Sequence, residues 1–139
     1  MRPLVEMMKM PHIRITENEL RRAATEPNLR DAFYRRLLEA DVLVQVQTEH
    51  GKNGVVSAGV ALGVETWVRE DGTEVIPFFS SPQAFFRSVP SGGKCVVMKT
   101  WELFETKRGT AFYLNPGSGH GVEFPPNMVD LLLANRAIA

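Results

Sequence analysis

Thr110-Ala-Phe-Tyr-Leu-Asn115-Pro-Gly-Ser-Gly-His120-Gly-Val-Glu-Phe124 sets a run of strand-forming residues against a break that the run cannot cross. Thr110 to Leu114 is aromatic and β-favouring, so it predicts a strand. Pro116 biases Asn115 toward an extended backbone, and Gly117, Gly119 and Gly121 then free the chain to turn. The strand has to end here, and everything before it has to arrive at this end with a sheet for it to join.

Working outward, Pro125-Pro126 restarts a helix carrying Met128, Val129, Leu131, Leu132 and Leu133. On the N-terminal side, Thr100 to Lys107 reads as a short helix closed by Gly109, and Cys95 to Met98 as a short strand after a turn at Pro90 to Gly93. Ser80-Ser81-Pro82 supplies a capping hydroxyl and a proline suited to a first turn, which predicts a helix from Pro82 to about Ser88. Val60 to Val68 and Thr73 to Phe79 flank Asp71-Gly72 and are expected to pair antiparallel. His50 to Gly54 reads as a loop, and Val42 to Gln47, with its two-residue period, as the first strand. Further upstream, Pro27 opens a helix with Leu29, Phe33 and Leu37 at four-residue spacing. Before it, Thr16 and Glu19 form the pattern of a capping box, with Ile15 placed to staple onto Leu20.

These elements predict an α+β fold: one domain over residues 16–139, behind a flexible tail at 1–15, with a mixed sheet of about five strands. Two N-terminal helices and three later ones are expected to pack on it, the later strand-helix-strand alternation having the form of parallel crossovers. Four of the six methionines fall in the first ten residues, so the true start could be Met1, Met7, Met8 or Met10.

Composition narrows the function classes. The chain of 139 residues balances 16 basic against 16 acidic side chains, so no global field favours nucleic acid or an anionic membrane. No apolar run approaches the roughly 20 residues that span a bilayer. The single cysteine, Cys95, has no internal disulfide partner and sits in an apolar run, which fits a buried strand residue and a reducing, cytoplasmic setting.

No motif completes a catalytic or cofactor signature. Ser91 to Cys95 lacks both the earlier glycine and the following Ser or Thr of a phosphate-binding loop, since those places hold Ser88 and Cys95. Gly117, Gly119 and Gly121 miss the dinucleotide pattern at Val122, and Ser118 lacks the glycines of a nucleophile elbow, because Pro116 and His120 stand there. His12, His50 and His120 have no metal-ligand spacing. Trp67 and Trp101 read as core or edge aromatics. No cofactor and no metal are therefore expected.

Asn18-Glu19-Leu20 at the first helix, Phe33 to Leu38 leading into Val42 to Val46, Pro77-Phe78-Phe79-Ser80-Ser81 before a helix, and Leu114 to Ser118 occur in an order that resembles the SseB N-terminal domain family. The resemblance runs from about Thr16 to Leu133 and rests on order and spacing. It implies a small cytoplasmic bacterial α/β domain with no assigned reaction, under labels of serine sensitivity and type III secretion. Many family members look longer, with a second C-terminal domain.

The expected function is a non-enzymatic binding or regulatory module with a protein partner or small ligand, and neither nucleic acid nor membrane. Its expected contact surface is a groove formed by Ser80, Ser81, Asn115, Gly117, Ser118, Gly119 and His120, at strand ends. An unpaired sheet edge would make a homodimer accessible. The alternatives are a secretion-associated interaction protein or effector, and a hydrolase or thiol enzyme using Ser118 or Cys95 with His120.

Overall fold

The computed structural model describes residues 2–3, 14–46, 63–90 and 92–138. In chain order these form β1 (Arg2–Pro3), α1 (Glu17–Thr25), a 3-10 turn (Pro27–Leu29), α2 (Arg30–Glu39), β2 (Asp41–Gln45), β3 (Trp67–Val68) and β4 (Glu74–Phe79). They continue as α3 (Pro82–Ser88), β5 (Cys95–Lys99), α4 (Thr100–Thr106), β6 (Ala111–Leu114), β7 (Val122–Phe124) and α5 (Pro126–Ile138). The loop read at His50 to Gly54 and the first part of the strand read at Val60 to Val68 lie outside the described residues, as do residues 4–13 of the stretch read as a tail. Arg2 and Pro3 pair with Val97 and Val96 of β5, and Ile15 is buried.

Local chemistry explains where the helices start. Thr16 Oγ1 accepts the Glu19 backbone N–H at 3.1 Å while Glu19 Oε1 accepts the Thr16 N–H at 3.3 Å, the reciprocal capping box that the sequence predicts. Ile15 and Leu20 meet in the core on either side of it. Ser81 Oγ caps α3 by accepting the Ala84 N–H at 3.1 Å, with Pro82 in the first turn. The turn at Asp71-Gly72 closes β3 onto β4 as expected: Arg69 N–H donates to Thr73 O at 2.8 Å, and Gly72 takes a φ of +88°.

The mixed sheet has the order β1-β5-β2-β4-β6-β7, with β3 also on β4. Every pairing is antiparallel except that of β4 with β6. Both crossovers occur, but β2 lies between β4 and β5, so β4 and β6 make the parallel pair. Val122 to Phe124, which the sequence reading passed over as part of the glycine loop, pairs antiparallel with β6 as β7. The break after Leu114 is therefore the loop of a hairpin and not a connection from strand to helix.

Strand alternation sorts the side chains to two faces. On one, Val42, Val44, Ile76, Phe78, Phe112, Leu114 and Phe124 meet α1, α2, α4 and α5. Four rings, Phe78, Phe104, Phe112 and Phe124, centre this core, with neighbouring centroids 4.8 to 6.2 Å apart. On the other face Leu43, Phe79, Cys95 and Val97 meet Ala84 and Phe85 of α3, while the adjacent Phe86 is exposed.

Arg36 ties α2 back to the capping box by donating to Glu19 Oε1 and Oε2 and to Arg14 O. Burial works to raise the Glu19 carboxyl, but the hydrogen bonds from Arg36 and Thr16 outweigh it and hold the group below its usual value. The stability this adds is present at neutral pH and is lost as pH falls through the lowered value. Thr16→Ala removes the hydroxyl acceptor from this cluster and should cost about 1 kcal/mol. Urea melts of both proteins check it; an unchanged midpoint and slope would show that the cap contributes nothing.

Candidate functional site

The residues singled out at the strand ends divide into a buried group and an exposed one. β4 and β6 run side by side and finish together, Phe78 opposite Leu114. Just beyond, Asn115 Oδ1 accepts the Ser80 N–H at 2.9 Å, and Asn115 Nδ2 donates to Ser80 Oγ at 2.8 Å. The Asn115 N–H donates to Phe78 O at 2.9 Å. Both residues are 1% exposed, and these polar groups bond one another.

Asn115 takes a φ of +48°, in the left-handed region, and not the extended conformation that Pro116 favours locally. The reason is tertiary: the side-chain bonds to Ser80 hold it, and asparagine tolerates this region better than other non-glycine residues.

The loop continues outward from that base. Ser88 Oγ, at the end of α3, donates to Pro116 O at 2.7 Å and anchors the near side. Gly117 and Gly119 turn with φ of +82° and +84°. Ser118 is half-buried, and Gly117, Gly119 and His120 are exposed. Gly121 brings the chain back so closely that a Cβ there would lie 2.5 Å from Tyr113 Cε1 and 3.1 Å from Asn115 O.

Ser81 is half-buried at the α3 cap. A groove of about 200 Å³ does lie at Ser80 and Ser81, yet its other wall is Arg14, Ile15, Thr16 and Glu17 with Gln83, and not the Asn115 to His120 loop. The strand-end residues are thus brought together as a buried latch and an exposed tip, and the groove at Ser80 and Ser81 belongs to the start of α1.

The pairs on which an enzyme would depend are arranged differently from a nucleophile and its base. Ser118 Oγ accepts the backbone N–H of His120 at 3.2 Å, and among the described residues no hydrogen bond or ion pair reaches the His120 ring. Cys95 is buried on the α3 face, and burial pushes its thiol up to about 11. In the sheet, Cys95 pairs with Gln45 of β2, and β4 then separates β2 from β6, so it stands three strand spacings, about 14 Å, from Tyr113.

A second opening was not anticipated. It has a volume of about 300 Å³ and runs between β7 at Gly121, Val122 and Glu123 and the helical wall of Ala24, Arg30, Phe33 and Tyr34. Its sequence signal was the apolar alternation of Val122 and Phe124 directly after the last glycine.

The family model for the SseB protein N-terminal domain matches residues 17–130. The chain belongs to the SseB N-terminal domain family. It is 41% identical over 120 residues to Protein SseB of Escherichia coli (strain K12) and, to the same extent, to Protein SseB of Shigella flexneri. The aligned region is 86% of this chain and 46% of each relative, so the chain spans about half the length of the curated SseB proteins it matches. No solved structure matches the chain at a significant level. Among the described residues no helix is long and apolar enough to cross a membrane.

Two outcomes follow for the strand-end residues and for Cys95. Asn115→Ala leaves the buried Ser80 N–H without its acceptor and puts alanine in the left-handed region, so it should cost about 2 to 3 kcal/mol; His120→Ala should leave the urea midpoint unchanged. Equal midpoints for wild type and Asn115→Ala would remove the latch from the account. For Cys95, the folded thiol lies above its ordinary value of 9.0, so its contribution to stability is complete below that pH and is lost as pH rises through about 11. Urea melts should therefore show wild type weakening against Cys95→Val between about pH 8.5 and 10.5; parallel curves would contradict the buried-thiol assignment.

Proposed function

We propose that the chain is a non-enzymatic, cytoplasmic binding or regulatory module of the SseB type that works by contacting a protein partner. The observation that carries this reading is the division of labour at the strand ends. The polar side chains placed to act on a substrate, Ser80 and Asn115, are consumed in a buried latch. What the latch supports is an exposed tip of Gly117, Gly119 and His120, with small residues and an unbonded ring that offer contact area and not a reaction centre. Cys95, the strongest nucleophile by residue type, is buried with its thiol held protonated at neutral pH. The cytoplasmic assignment rests on that same lone cysteine, which has no internal disulfide partner.

An enzyme assembled from Ser118 or Cys95 with His120 makes the opposite demand, because loss of the base would then abolish turnover while stability hardly moved. The purified protein should show no turnover above blank with generic esterase, amidase and thiol-transfer substrates. Turnover that disappears in His120→Ala or Cys95→Ala, with the melting curve unaltered, would overturn the non-enzymatic reading.

A further inference from the structure

We propose that the outer edge of β7 and the groove beside it take an extended peptide strand from a protein partner. The proposal rests on the binding-module reading and gives it a surface and a partner chemistry. β7 ends the sheet, and β6 is its one paired neighbour among the described residues. Among the described residues, one flank of its backbone N–H and C=O groups therefore has no strand to bond. Water satisfies such groups in the free protein, and among macromolecular partners an extended chain is the one that bonds along the row. The remaining short strands carry no such argument, since β1 and β3 adjoin stretches outside the described residues, whereas β7 lies within the described run 92–138.

The groove beside the edge supplies what backbone pairing alone lacks. Its strand wall is Gly121 and Val122, and its helical wall is Ala24 at the end of α1 with Phe33 and Tyr34 of α2. Side chains on one face of an added strand would enter between the walls while alternate ones pointed away. At about 300 Å³ the opening stands at the small end of ligand sites, with room for strand side chains more than for a whole cofactor. The helical wall is packed from behind: Tyr34 meets Phe124 edge-on with centroids 6.0 Å apart.

Of the two rim charges, one is paired and one is not neutralised. Arg30 donates from Nε to Ala23 O at 2.9 Å and from Nη2 to Ala24 O at 3.1 Å, and Glu123 is paired with Arg69. Arg30 keeps its positive charge, because backbone carbonyls carry none, so the surface fits a segment rich in Val, Ile or Thr that also carries an acidic residue. A second copy of this chain fits less well. Pairing β7 with β7 would span three residues, about 10 Å of strand, and would set the two grooves beside the edge apart from any side chain that could fill them.

The test pans a phage library of random peptides of about nine residues against the full chain, then measures synthetic versions of the enriched sequences. We expect alternating β-branched sequences. N-methylation of every second residue should abolish binding in one phase and spare it in the other, because an added strand bonds through alternate N–H groups. Ala24→Trp, at an exposed helix position, should weaken binding at least about tenfold while His120→Ala leaves it unchanged, and Ala24→Lys gives the same readout should the tryptophan disturb folding. No binder tighter than about 100 µM, or binding indifferent to the N-methyl phase, overturns the inference. Peptides that lose binding in His120→Ala but not in Ala24→Trp also overturn it, while leaving the binding-module reading in place. Self-association that Ala24→Trp abolishes would replace the peptide by a second copy.

Discussion

The hydrogen bonds between Asn115 and Ser80 are the constraint on which the rest of the strand-end architecture depends. β4 and β6 are the parallel neighbours of the sheet, and both chains must leave it at the same end, one into α3 and the other into the hairpin loop. Two departing backbones side by side would strand buried N–H and C=O groups, each costing about 1 to 3 kcal/mol if left unpaired. Asn115 meets that demand from a single side chain, accepting from Ser80 N and donating to Ser80 Oγ. Its left-handed φ of +48° costs on the order of 1 to 2 kcal/mol. Three hydrogen bonds of about 1 kcal/mol each offset that strain, which is why a residue ahead of a proline can hold a conformation its neighbour disfavours.

The latch also sets the aromatic core. Holding Phe78 level with Leu114 keeps β6 in register, and the hairpin then sets Phe124 of β7 opposite Phe112. Phe104 from α4 packs against Phe78, Phe112 and Phe124. A slip of one residue in β6 would turn Phe112 and Leu114 to the other face and dismantle the cluster, so the polar contacts at the strand ends act on stability chiefly through register.

What the sequence made legible was what local chemistry decides. The capping box at Thr16 and Glu19, the Asp71-Gly72 turn, the Ser81-Pro82 helix start and the burial of Cys95 each follow from a few adjacent residues. The misreadings share a different cause. β7 is three residues long and directly follows the glycines, and its partner lies on the far side of the loop, so no short window carries its signal. Asn115 was read from its local bias, whereas its conformation is settled by a residue 35 positions away. That Ser80 and Asn115 bond each other was equally out of reach, because a sequence does not show that two polar groups 35 positions apart face one another. The order of the sheet was hidden for the same reason: strand-helix-strand alternation gives direction, but it does not reveal that β2 lies between β4 and β5.

Gly121 links the hairpin to the surface beside it. Its backbone lies so near Tyr113 and Asn115 that no side chain fits, and that close approach lets the chain reverse after the loop and run back along β6 as Val122 to Phe124. The groove beside β7 begins at the same residue, with Phe33 and Tyr34 facing it from α2. A larger residue would have to displace the Tyr113 ring or the Asn115 carbonyl, and the second course would act directly on the latch. Gly121 therefore serves the hairpin that sets β7 against β6, and with it the place of Phe124 in the core.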